Sequence, residues 1–148
     1  MSGLTDSADL FLELVVNTAE FLVYFWPVSI AVLALSLIVV TVWPPFRDPR
    51  FRGRLPLFAV AYGFPLLVLL TGTLLRYNGP PHPNWREPPA WRGWALFAVV
   101  VLHVILSIAA VVVVRGARVR SAMALLPAVW LSFCAYVPSG FAVAGVGP

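Results

Sequence analysis

The chain contains no lysine: all ten of its basic residues are arginine. It has only six acidic residues, two histidines and one cysteine, and each shortage removes a class of reading. With Cys134 alone, an internal disulfide is excluded, as is any multi-cysteine zinc or iron-sulfur site supplied by this chain by itself. Residues 1–20 carry no basic side chain, so the basic n-region that opens a cleavable signal peptide is missing. There is no HExxH, no glycine-rich phosphate loop, no pair of carboxylates within an apolar run and no Ser/His/Asp set at one level. A thiolate pair of Cys134 with His103 is the remaining catalytic pattern, and an apolar, buried thiol is inert. No enzymatic activity is expected. The lack of lysine also suits a GC-rich coding sequence, which points to a bacterial source.

What the chain has instead is apolar length. Hydrophobic residues make up 61% of 148, with a mean hydropathy of +0.91, well outside the range of soluble domains of that size. The charges cluster between long apolar runs, as they do when confined to membrane surfaces. A sequence pI near 10 invites a nucleic-acid reading. The arginines, however, flank hydrocarbon-length segments, and orienting a membrane protein uses them more economically, so no nucleic-acid partner is expected.

A membrane span needs about 20 apolar residues, because the hydrocarbon layer is about 30 Å thick and a helix rises about 1.5 Å per residue. Four segments qualify: 21–43, 55–75, 94–114 and 122–143. Segments this long and free of charge satisfy their backbone groups as helices rather than as barrel strands. The expectation is a single all-α, integral membrane domain: a four-transmembrane-helix bundle preceded by an N-terminal amphipathic helix. Arg47, Arg50, Arg52 and Arg54 in the first connection and Arg115, Arg118 and Arg120 in the third put seven arginines on one face. Arg76, Arg86 and Arg92 fall on the other. Arginine-rich short loops stay in the cytoplasm, which places both termini on the non-cytoplasmic side of an inner membrane.

Within residues 5–20, Asp6, Asp9, Glu13, Asn17 and Glu20 recur at spacings of three and four, and Tyr24 continues the stripe. One reading is an amphipathic helix lying on the outer membrane face and entering the first span near Trp26 and Pro27. The other is a docking helix whose acidic stripe, Asp9, Glu13, Asn17 and Glu20, meets a basic partner subunit. The loop RYNGPPHPNWREPPAWRG carries five prolines, with Trp85 and Trp91 among its aromatics. It reads as extended chain that anchors at headgroup level or offers a contact surface to another protein.

An ionisable side chain within a span is a functional candidate by default, and His103 is the one clear case. It lies about 16 Å from the arginine-rich face, level with Ser132 and close to Cys134, so a His103–Ser132 hydrogen bond is the structural expectation. Ser36, Tyr62 and Ser107 form a second expected polar layer about 10 Å deep. The functional alternative for His103 is axial ligation of a tetrapyrrole, haem or a chlorophyll-type pigment. No second ligand stands at its depth: His82 belongs to the outer loop and Met123 lies near the arginine-rich end. Prolines in the fourth segment (Pro127, Pro138) and Pro65 in the second raise a third reading, a small transporter or channel with an aqueous path beside Pro65, His103 and Pro138.

The run VVVLHVILSIAAVVVVRGARVR followed by LPAVWLSFCAYVPSG resembles the small four-helix membrane proteins associated with haem-copper oxidase assembly, over residues 94–141. That family carries further histidines near the end of the second span, where this chain has Tyr77 and Asn78, so the resemblance transfers His103 alone, as a cofactor candidate. A small bundle without transport or catalytic residues, but with an acidic helix and an aromatic-proline loop on one face, suits docking better than chemistry. The leading expectation is therefore a non-catalytic subunit or assembly factor of a larger electron-transfer complex, respiratory or photosynthetic, with other membrane subunits as partners.

Overall fold

Ser121, Ala124, Ala128, Ser132, Ala135 and Ser139 recur every three or four residues along the last apolar segment, and all six are buried. Small side chains let neighbouring backbones come close, so a helix with such a stripe belongs at the centre of a bundle. The computed structural model of the chain describes residues 2–42, 54–76, 90–114 and 117–145. Those residues form α1 (Ser2–Tyr24), α2 (Trp26–Val42), α3 (Leu55–Leu74), α4 (Ala90–Val113) and α5 (Arg118–Ala144). The described chain is all-α, without a strand, and α5 packs against each of the other four helices.

The approach of α3 to α5 shows how closely the central helix is held. A Cβ built on Gly72 would fall 2.5 Å from Ser139 Cβ and 3.0 Å from its Cα. No side chain larger than hydrogen fits there without parting the helices.

α3, α4 and α5 are each long and apolar enough to cross a membrane. The expected first span, 21–43, is not one straight helix. α1 runs on through residues 21–24, and α2 leaves it at an angle of 88°. The 17 residues of α2 rise only about 25 Å, so the fourth crossing exists only if the bent pair is counted as one. Pro27 explains the break, because it has no N–H for the carbonyl four residues back and its ring crowds that carbonyl. The elbow is then tied together by side chains. Ser29 Oγ donates to the Leu22 carbonyl at 3.0 Å, and Trp130 Nε1 of α5 donates to Ser29 Oγ at 3.1 Å. Phe25 lies edge-on to Trp130, with ring centroids 6.4 Å apart.

α1 is not a bystander on the bundle. Leu10, Leu14 and Thr18, one helical turn apart, face inward and are buried. The two leucines join a core with Val68 and Leu69 of α3, Leu96 of α4, and Ala135 and Val143 of α5. At the same end, Arg92 Nη1 donates to the Arg76 carbonyl at 2.9 Å, tying the start of α4 to the residues just past α3.

Polarity is inverted relative to a water-soluble fold. His103, Ser121 and Ser139 have no exposed surface, while Leu33, Ile38, Ile105 and Ile108 are each more than half exposed. In α4, the most apolar stretch has a mean hydropathy of 3.0 and yet is only 22% buried.

Candidate functional site

Two places concentrate polar groups: a seam inside the bundle and a groove beside α1. The seam begins where Pro127 interrupts α5. Proline cannot supply the N–H that would reach the carbonyl of Met123, four residues back. Ser36 Oγ, from α2, donates to that carbonyl at 2.9 Å. One residue on, Tyr62 OH of α3 donates to the Ala124 carbonyl. Ser36 and Tyr62, two members of the expected second polar layer, thus each donate to the backbone of α5 rather than to one another. A hydroxyl that re-satisfies a carbonyl freed by proline, as Ser36 does for Met123, makes such a residue tolerable in an apolar setting.

Farther along, the expectation fails. The His103–Ser132 hydrogen bond is not formed, and Nδ1 and Nε2 of His103 and the hydroxyls of Ser107, Ser132 and Ser139 have no hydrogen-bond partner among the described residues. His103 instead lies face to face with Phe64, centroids 4.8 Å apart and planes 8° from parallel. Ser107, placed in the second polar layer by its depth, sits one turn from His103 on the same face of α4 and bonds to neither Ser36 nor Tyr62. Cys134 is a buried free thiol. Because His103 has no exposed surface, a tetrapyrrole could reach it only by displacing Phe64 or parting α3, α4 and α5. Pro65, His103 and Pro138, the residues of the transporter reading, are all buried. Among the described residues, no three His, Cys, Asp or Glu side chains converge as a metal-holding group.

The second place is a groove of ≈ 520 Å³ between α1 and the last turns of α5. Glu13, Asn17 and Glu20 of the acidic stripe line it, together with Tyr24. Val137, Pro138 and Phe141 form its apolar side, and Arg76 adds the opposite charge. Asp9 is exposed on α1 outside the groove, and Trp91 is exposed at the start of α4, its ring 5.6 Å from the Arg92 guanidinium carbon. Trp85 and residues 77–89 of the proline-rich loop lie outside the described residues, as do the side chain of Asp6 and most of the first arginine-rich connection. The stripe was legible in the sequence, but the groove was not. Its signal would have been the elbow at Pro27, which folds α1 back over the ends of α3 and α5.

Compared with known proteins, the chain matches no family model, no curated protein and no solved structure. The class that can be stated is an all-α helical bundle with three helices, or four with the bent pair, able by length and composition to cross a membrane.

Proposed function

We propose that this is a four-span integral membrane protein working as a non-catalytic subunit or assembly factor of a larger complex, with electron transfer as the class its 94–141 segment resembles. The observation that carries the membrane reading is the inverted polarity: serines and a histidine inside, leucine and isoleucine outside. Such a surface would aggregate in water and is at rest in hydrocarbon. The arginine count by face, seven against three, supports termini on the non-cytoplasmic side.

A partner is supported by α1. Leu12, Val16 and Val23 share the face turned away from the bundle and remain exposed, next to the acidic stripe. A helix with one apolar face in its own core and a second left uncovered suits a contact within a larger assembly.

Alkaline carbonate extraction of membranes tests the first half. Retention in the pellet is expected, and release into the supernatant would end the membrane reading. Blue-native electrophoresis after mild solubilisation tests the second half: migration above the monomer is expected, and a lone monomer band counts against a subunit role. An absorption spectrum of the purified chain separates this role from that of a pigment or haem protein, since a Soret or Qy band would restore His103 as a ligand.

A further inference from the structure

The groove beside α1 has the size of a pocket for one small molecule, about 300–1,000 Å³, rather than of a protein interface. It is also amphipathic. Phe21, Val137 and Phe141 give it an apolar side, while two acidic residues, Glu13 and Glu20, and one basic residue, Arg76, are also among those that line it. Among the described residues no ion pair joins these three charges. We propose that the groove holds one phospholipid with a zwitterionic headgroup ending in a primary ammonium, drawn from the leaflet on the side of the elbow.

The charges select that headgroup. Arg76 offers a planar fork of N–H donors suited to a phosphate diester. Glu13 and Glu20 are acceptors for an ammonium, which carries three donors of its own. A choline headgroup is cationic but has no N–H to give. A glycerol headgroup could use Arg76 for its phosphate but has no cation to offer Glu13 and Glu20. A simple alkylamine would leave Arg76 unmatched. Glu13 and Glu20 stand seven residues apart, about 10 Å along the axis, so one of them takes the ammonium and the other only shapes the local field. The acyl chains then run along Phe21, Val137 and Phe141 toward the exposed apolar flank of the bundle.

This inference rests on the membrane reading but not on the existence of a protein partner. Its test is native mass spectrometry of the detergent-purified full chain, offered ethanolamine, choline and glycerol phospholipids with identical acyl chains. The ethanolamine lipid should be retained about tenfold better than either competitor, the scale of one charge-assisted hydrogen bond. Either Glu13→Gln or Glu20→Gln should remove most of that preference, and the double variant should equalise ethanolamine and choline lipids. Arg76→Gln should weaken both, whereas Asp9→Asn, outside the groove, should change nothing. Helicity by circular dichroism confirms that each variant is folded. Equal retention of all three lipids, or a preference that survives in the folded double variant, overturns the proposal. Release of the chain by alkaline carbonate would instead overturn the membrane reading beneath it.

Discussion

Replacing Ser36 with alanine removes the one side-chain donor on the Met123 carbonyl among the described residues. The cost should be about 1 kcal/mol, given that interhelical hydrogen bonds in membrane proteins average about 0.6 and reach about 1.7 kcal/mol. That figure alone would not establish the reasoning, because many serine deletions cost as much. The decisive comparison repeats Ser36→Ala in a Pro127→Ala background. There residue 127 regains an N–H four positions beyond Met123, so the carbonyl finds its partner inside α5 and Ser36 becomes dispensable. The penalty should fall to near zero, giving a coupling of about 0.5–1 kcal/mol between sites on different helices. Pro127→Ala by itself is uninformative, since a gain in helix propensity accompanies it. Tyr62→Phe provides the control: its acceptor is Ala124, whose own partner four residues on, Ala128, has an N–H in either background. Its cost should therefore be unchanged by Pro127→Ala. Reversible unfolding in mixed micelles, followed by far-ultraviolet circular dichroism, reads all of these. If Ser36→Ala costs the same with and without Pro127, the freed-carbonyl account is refuted.

Gly72→Ala should destabilise the fold by about 1–3 kcal/mol through overpacking against Ser139, and Ser139→Gly should recover part of the loss in the same unfolding assay. His103→Leu replaces an imidazole that has no hydrogen-bond partner among the described residues and should change stability by less than about 1 kcal/mol while leaving the visible spectrum untouched; a large loss would mean that the ring has a partner the packing does not reveal. Cys134, with no exposed surface, should resist a maleimide in the folded protein and react once the chain is denatured in SDS, so rapid labelling under mild conditions would contradict the central position of α5.

The helical class was legible because a run of about 20 apolar residues leaves the backbone no other way to satisfy itself in hydrocarbon. The elbow was not. Hydropathy is continuous across Phe21–Trp43 and carries no direction, and Pro27 marked a boundary without revealing a near right angle. Depth counting put Ser36 and Tyr62 at one level, and their hydroxyls reach adjacent carbonyls of α5, Met123 and Ala124. It failed for His103 and Ser132 because level fixes height and not azimuth: a hydrogen bond also needs the two side chains to point at each other. The small-residue stripe of α5 was the strongest unused signal. Ser132 reads from the sequence as a polar contact, although the more general property it shares with Ser121, Ser139 and the intervening alanines is that they are small. Arg92 was assigned to the outer face for its charge, yet its visible role is to hold the end of α3 through the Arg76 carbonyl.

The bond from Trp130 to Ser29 joins residues 101 positions apart in the chain. As the polypeptide is made, its first two helices therefore emerge long before the helix that sets the angle between them. Until α5 arrives, that corner has no indole to brace it, and Leu10 and Leu14 lack the Ala135 and Val143 side of their core. A chain halted before residue 118 would keep its apolar segments while losing the arrangement that gives its leading helix a place to rest.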